Sequence, residues 1–440
     1  MLQRLHKTII TYPVYAIVAV CLLVRLIIAF IYRDVTLFPD SGDYIALADI
    51  LSHGRLNGYT GERTPGYPLL ISLLGNSQPL VVAIQLLSGI VTALYTYKTL
   101  QLIGFTKATA TYTAIILNCL LHLVFNEFCI LTESLTLLML TLAFYHFLKL
   151  FLNGSTNVWQ IVLITFFTAY LTFIKPFYAF IPFVFYGMYV LKNFSFRNVI
   201  NPIVLPVLAS LTIFFGWSYV NKVNTGYFVS TTYYGLNLAQ NCVYFAENVP
   251  DEYKEIGLIY AKHRDIALKE NKDVAMSIWF AYEDLKQYTG LKPAALNDLL
   301  GKYAKAAISQ NKDAYAKQVF TSWIKFWGTD MFWNYGDFYC SWGRKPLLVL
   351  WYCTKWLVIA LKAIFVLFTP YYFFQYLKTR KIDKQLLIYA LVFAASVLQA
   401  IITFGTNSRY SFPFETLIFT SLLLTIGRFT GNKLLNQPKP

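Results

Sequence analysis

The feature that most constrains this chain is a series of apolar stretches that recur from residue 8 to residue 427. A helix needs roughly 20 apolar residues to cross the hydrocarbon core of a bilayer. Stretches of about that length fall at 8–32, 79–103, 108–127, 131–150, 157–174, 177–191, 199–220, 346–375, 385–404 and 410–427. Charged residues make up 13% of the chain, against about 25% in soluble domains. The pattern predicts an all-α polytopic membrane protein with about 10 transmembrane helices. The first apolar run is long enough to remain as a helix, so no cleavable signal peptide is expected. Tyr, Phe and Trp supply 18% of residues, which suits interfacial belts and packing between helices.

The formal charge of +15 raises nucleic acid as a partner, but the positions of the basic residues argue against it. Arg4 and Lys7 precede the first stretch and read as cytoplasmic. Alternation then puts Lys98, Lys107, Lys149, Lys192, Arg197, the run 378–384, Arg428 and Lys433 on that same side. Both termini are therefore expected in the cytoplasm, with residues 33–78, 126–133 and 221–345 outside. This divides the chain into a membrane module (1–220), an extracytoplasmic insert (221–345) and C-terminal spans (346–440). The insert has helical spacing and no strand-like alternation. Trp323, Trp327, Trp333 and Trp342 crowd its end, marking the headgroup level or lining a sugar site by stacking. None of the six cysteines has metal-site spacing. Cys242 and Cys340 share the insert and are able to pair if it is extracytoplasmic.

A chain this poor in charge concentrates it in residues 38–68, just after the first stretch. Asp40, Asp43, Asp49, Arg55, Glu62 and Arg63 all lie there. Tyr44, Leu47, Ala48 and Leu51 fall at i, i+3, i+4 and i+7, one apolar face of a short helix expected to lie on the membrane surface. Asp40 is then either an N-cap or a carboxylate placed to deprotonate an alcohol or hold a cation. Asp43 is a first-turn acid favoured by the helix dipole or a partner in the same chemistry. Arg25 sits well inside the first stretch, about 12 Å along the helix from Arg33. An ionisable group there is costly; it is paired, snorkelling or functional. Glu127 and Glu133 bracket a short turn on the side of Asp40, and Glu133 opens a span. Arg63, Arg409 and Lys175 stand at the same face, as interface anchors or as phosphate-binding donors.

Taken in order, Arg25, "PDSGDY" (39–44), "RTPGYP" (63–68), "TES" (132–134) and "SRYSFP" (408–413) resemble the GT-C glycosyltransferases. More narrowly, they are similar to the bacterial branch related to protein O-mannosyltransferases and the lipid A aminoarabinose transferase. The segment 226–241 is similar to the start of that family's extracytoplasmic domain. The resemblance implies Asp40 as the essential acid of the first outer loop, with Asp43 as the competing candidate because the pattern of two adjacent acids is absent here. It implies Glu133 as the second acid, Arg63 and Arg409 as donor-phosphate ligands with Lys175 and Arg25 beside them, and Glu62, Tyr44 and Tyr410 as substrate contacts.

The implied activity is an inverting transfer of a sugar from a polyprenyl-phosphate donor to an acceptor hydroxyl. It would run at the extracytoplasmic face of the bacterial plasma membrane. The acceptor is a glycan, lipid or protein. A divalent cation (Mg²⁺, Mn²⁺ or Ca²⁺) held by Asp40 and Glu133 is implied for some relatives and not for others. The alternative is a lipid-linked sugar flippase or another lipid transporter, for which internal repeats and Gly- or Pro-broken spans would be expected; neither is evident in the sequence.

Overall fold

The computed structural model describes residues 2–153, 157–192, 194–195, 199–405, 407–430 and 434. Arg197 and Lys433, two of the expected cytoplasmic basic residues, lie outside that set. All ten apolar stretches are helical, but among the described residues seven helices are long and apolar enough to cross a membrane: Pro13–Tyr32, Gln78–Ile103, Glu133–Asn153, Pro202–Thr225, Ser341–Thr379, Lys384–Ile402 and Ser408–Phe429. The other three fall short of the expected ten for local reasons. The third stretch is split into Lys107–Asn118 and Leu121–Asn126, because Leu120 adopts extended backbone. No Gly or Pro marks that break, so the sequence does not announce it. Val158–Ile174 has 17 residues and stops before Pro176, whose missing N–H cannot continue the ladder. Phe180–Lys192 follows after a 3₁₀ turn and has 13 residues.

The two ends of the bundle differ in chemistry. At one end basic side chains bind helix C-termini, as the orphan carbonyls there favour. Lys384 Nζ donates to Ile103 O at 2.6 Å, Lys192 Nζ donates to Phe151 O, and Arg428 pairs with Asp383 at 2.6 Å. At the other end lie the loop after the first span, the start of Glu133–Asn153, the end of Val158–Ile174 and the start of the last span.

The loop after the first span is fixed by specific ties. Thr36 forms a parallel bridge with Cys129: Thr36 N donates to Phe128 O at 2.9 Å and Ile130 N to Thr36 O at 3.1 Å. The amphipathic helix forms as expected, over Pro39–Ser52, and buries Tyr44, Leu47 and Ala48. Its apolar face packs against protein. Tyr44 and Ala48 pack with Tyr67 and Ile71 of the following helix, Gly66–Leu73. The N-cap position is Phe38, not Asp40: Phe38 N donates to Ser41 Oγ at 2.9 Å, and Ser41 Oγ donates to Ile130 O at 2.9 Å. Asp40, in the first turn, is thereby left available to other partners. Gly66 is pressed against the backbone of Phe173 and Ile174, with Thr64 Oγ1 donating to Ile174 O at 2.8 Å. This close approach sets Arg63 and Lys175 side by side.

The insert builds its own helical core around Leu236, Tyr260, Leu285, Leu300 and Tyr303. Phe404, from beyond the insert, completes that core, and Ala314 and Tyr315 pack against it. The next helix, Lys312–Phe326, packs along Lys384–Ile402, with Trp323 Nε1 donating to Ser396 Oγ at 3.1 Å. The tryptophans divide accordingly. Trp323 and Trp327 pack on Phe393, Trp333 packs on Phe125 and Phe338, and Trp342 alone of the four is exposed. Three of them thus pack against aromatic neighbours, Trp327 buried and Trp323 and Trp333 half-buried. Cys242 and Cys340 are both free and lie in different cores.

Two glycines give opposite expectations. A Cβ at Gly66 meets backbone that cannot yield, so Gly66→Ala is expected to cost about 1–3 kcal/mol. Gly42, on the exposed side of its helix, has open space around it, so Gly42→Ala is expected to gain about 0.5–1 kcal/mol from lower chain entropy. Thermal unfolding of the two variants in detergent checks the sign of both.

Candidate active site

Five separated segments bring three carboxylates and three cations to one place. Arg63 Nη2 donates to Asp40 Oδ1 at 2.8 Å, and its Nε and Nη2 hold Asp43 Oδ2 at 3.0 and 2.9 Å. Arg409 Nη1 donates to Asp40 Oδ2 at 2.7 Å and its Nε to Glu133 Oε1 at 3.0 Å. Lys175 Nζ stands 3.6 Å from that same Glu133 oxygen. Asp40 and Glu133, 93 positions apart in sequence, are therefore bridged by a guanidinium from the far end of the chain.

Aromatic rings frame the charges. Arg63 lies over the rings of Tyr44 and Tyr233, at 5.0 and 5.2 Å, and Lys175 over Tyr410 at 4.7 Å. Each contact favours a cation over a ring face. Tyr44 is buried beneath Arg63, edge-on to Tyr67, and so supports the guanidinium rather than presenting a surface to a substrate. Glu62 lines a small open cleft with Asp43, Tyr59, Thr60 and Arg63. Its backbone carbonyl accepts from Thr231 Oγ1 at 2.6 Å, which ties the start of the insert to the site.

The electrostatics follow from this pairing. Burial alone would raise the Asp40 carboxyl, but Arg409 and Arg63 outweigh it and hold Asp40 well below the usual carboxylate range. Burial pushes Glu62 up, and the neighbouring Asp43 adds to the effect. For Lys175, burial opposes the charge but Glu133 overcomes it, leaving the ammonium more basic than usual. Asp40 thus stays ionised through mildly acidic pH. Stability drawn from its depressed pKa is present above the ordinary carboxylate range and is lost only as pH falls through the lower folded value.

Of the residues singled out from sequence, Asp40, Asp43, Arg63, Glu133, Lys175 and Arg409 meet in the cluster, with Glu62, Tyr44 and Tyr410 around it. Lys175, whose turn Pro176 would explain without it, is a full member. Arg25 is not. Its guanidinium forms a buried pair with Glu127, Nε to Oε2 at 2.7 Å, with Nη1 also donating to Cys21 O at 3.2 Å. Gly89 provides the room, since a Cβ there would meet both side chains. The expectation that Arg25 binds donor phosphate is corrected on that ground: its charge is already matched within the bundle.

Other participants were missed. Tyr233 OH lies 3.4 Å from Asp43 Oδ2. A second, fully buried ion group stands behind Arg409. Lys362 Nζ holds Glu415 Oε1 at 2.7 Å, Ser411 Oγ at 2.8 Å and Gly328 O at 2.6 Å, while His122 Nε2 is 2.6 Å from Glu415 Oε2. Ser408 Oγ also donates to Asp330 Oδ2 at 2.5 Å. Ionisable residues inside apolar runs are the signal that could have found Lys362 and Glu415.

The arrangement does not suit the divalent cation that Asp40 and Glu133 were expected to share. Such ions are held by converging oxygens, whereas here the Arg409 guanidinium stands between the two carboxylates and Arg63 and Lys175 add two further positive charges. Among the described residues no group of three His, Cys, Asp or Glu side chains is placed to hold a metal. The cluster offers donors instead. Arg409 Nη2 is buried without a hydrogen-bond partner of good geometry, and Lys175 Nζ has only the 3.6 Å ion pair.

Fold and site together define a polytopic helical membrane protein with a charged, partly dry centre at the ends of its spans. No family model matches the chain, and no curated protein matches it. Among solved structures it is similar to the archaeal oligosaccharyltransferase AglB from Archaeoglobus fulgidus, in complex with an inhibitory peptide and a dolichol-phosphate. The two are 12% identical with a TM-score of 0.48, over 97% of this chain and 53% of that one. This chain therefore spans about half the length of that protein. The side chains of the cluster, not this likeness, carry the functional reading.

Removing Arg409 leaves Glu133, 2% exposed at its side chain, with Lys175 at 3.6 Å as its remaining cation among the described residues. Breaking a buried pair on one side costs about 3–5 kcal/mol, so Arg409→Met is expected to lower the unfolding temperature markedly. Glu133→Gln added to it removes the stranded charge and is expected to recover most of the loss. Thermal unfolding of the single and double variants tests this.

Proposed function

We propose that this protein is a membrane glycosyltransferase of the GT-C type, moving a sugar from a polyprenyl-phosphate donor to an acceptor hydroxyl. The observation that carries the reading is the convergence of Asp40, Asp43, Glu133, Arg63, Lys175 and Arg409, from five segments, at one end of the membrane bundle. A lipid-linked phosphate places its tail in the bilayer and its charge at that level. Charges so costly to gather are accounted for by a substrate with both characters.

In the proposed reaction the acceptor oxygen attacks the anomeric carbon as the bond from that carbon to the phosphate oxygen breaks. The bonding pair leaves with the polyprenyl phosphate, and a single displacement inverts the centre. Asp40, with Asp43 as the competing candidate, takes the hydroxyl proton. Arg409 and Lys175, which have donors to spare, and Arg63 stabilise the charge growing on the departing phosphate. An alkyl phosphate leaves readily, so no separate acid is assigned. The insert, tied to the site through Thr231 and Tyr233, would shape the acceptor side. The proposed setting is a bacterial plasma membrane with both termini cytoplasmic and the cluster at the extracytoplasmic face.

The test is release of polyprenyl phosphate by the purified protein from a panel of polyprenyl-phosphate sugars. Wild type is expected to release it from at least one donor. Asp40→Asn and Arg63→Ala are each expected to lower the rate by about 100-fold or more. If no donor is consumed even with acceptor-rich membranes added, the glycosyltransferase reading fails and lipid-translocation assays become the next measurement.

A further inference from the structure

The joint between the insert and the charged cluster borders two clefts. Thr231 Oγ1 donates to Glu62 O at 2.6 Å, Thr232 N to Gly61 O at 2.8 Å, and Thr232 Oγ1 to Thr60 O at 3.1 Å. Gly61 permits so close an approach: its φ is +81°, and a Cβ there would stand 2.6 Å from Thr232 Cγ2. Thr60 lines the cleft beside Glu62 and Arg63. Thr232 lines a second cleft on the insert, of about 150 Å³. The same joint therefore contributes to both.

The second cleft is built on a fixed helix crossing. Gly235, in Tyr234–Gln240, lies against the backbone of Pro293–Gln310, where a Cβ on it would overlap Asn297 O. Around the cleft stand Tyr227, Thr232 and Tyr234, with Asp298, Lys302 and Lys305 at i, i+4 and i+7 on one face of Pro293–Gln310. Lys302 Nζ pairs with Asp298 Oδ2 at 2.9 Å, and Lys305 has no ion pair among the described residues. Asn297 also lines the cleft and is fully buried. Neither atom of its amide has a hydrogen-bond partner of good geometry, although Tyr282 stands beside it. A solvated helix face would account for Asp298 and the two lysines. It does not account for two tyrosines sharing a cavity with them, nor for a buried amide so poorly matched.

We propose that this cleft is a saccharide subsite, holding a sugar of the acceptor other than the one whose hydroxyl reacts. The lining has the two kinds of group that a pyranose needs. Tyrosine rings offer apolar faces to its C–H face and a hydroxyl at their edge. The carboxylate, ammonium and amide groups offer acceptors and donors to its own hydroxyls. An acyl chain would find only Val229 and Ala294 as aliphatic lining. Such a role rests on the glycosyltransferase reading and deepens it: the acceptor is a glycan of more than one sugar, rather than a polypeptide or a simple lipid alcohol. Its reacting end would lie at the charged cluster, and the next part of the chain would cross the joint at Thr60 and Thr232.

The probe is a printed array of defined oligosaccharides and peptides. It is titrated with the purified full-length protein in lipid nanodiscs, so that no sugar-headed detergent competes. Wild type is expected to bind a subset of the oligosaccharides. Tyr234→Ala and Lys305→Ala, both at exposed positions, are each expected to weaken that binding by about five- to tenfold. Lys175→Met, within the charged cluster, is expected to retain it.

An array on which wild type binds no oligosaccharide overturns the proposal, as does binding that neither Tyr234→Ala nor Lys305→Ala weakens. Binding abolished by Lys175→Met overturns it too, because the sugar would then sit in the cluster. Binding of peptides in place of saccharides reassigns the cleft to a polypeptide and overturns it likewise. None of these outcomes bears on release of polyprenyl phosphate from the donor, which decides the glycosyltransferase reading separately.

Discussion

The Arg409 guanidinium, shared between Asp40 and Glu133, is the interaction on which the rest of the arrangement depends. A buried carboxylate such as Glu133 is tolerated only with a partner, and that partner comes from the start of the last span, 276 positions away. To meet this demand the bundle must bring the first loop, the helix beginning at Glu133, the turn at Lys175 and residues 408–411 to one point. The Thr36–Cys129 bridge, the Ser41 tie to Ile130 and the close approach at Gly66 are the devices that do so.

Much of the centre is legible in the sequence because charge is scarce. In a chain with 13% charged residues, acids and arginines next to apolar runs stand out, and alternation of spans assigns them to one face. What the sequence withholds is pairing. Arg25 and Glu127 are each conspicuous, yet nothing in their spacing says that Gly89 leaves room for them to meet. Lys175 is masked by Pro176, which explains the turn without needing the lysine. The break at Cys119 and Leu120 has no Gly or Pro to signal it. The tryptophans at the end of the insert look interfacial by composition, and only the docking of Lys312–Phe326 on Lys384–Ile402 turns two of them inward.

The second ion group explains how the last span presents Arg409. The chain there is not one regular helix. Ser408–Ser411 is a single turn, Phe412–Phe414 is 3₁₀, and Glu415–Phe429 follows. Such a segment has weak intrinsic register. Lys362, anchored on Glu415, Ser411 and Gly328 O, and Asp330, bound to Ser408, hold it from behind. Lys362 and Glu415 are each costly to bury alone and acceptable only in the company they keep.

The chain order of the cluster bears on biogenesis. Synthesis runs from Asp40 to Arg409, so the carboxylates enter the membrane long before the residue that joins them. During that interval Glu133 has Lys175 as its only cation, and Lys362 waits for Glu415. The centre is completed only when residues 408–411 have been made. A chain truncated before residue 408 would keep most of its spans and its whole insert, with Asp43 still on Arg63 but Glu133 without the guanidinium that pairs with it. Assembly of the charged cluster is thereby postponed until Ser408–Phe429 joins the bundle.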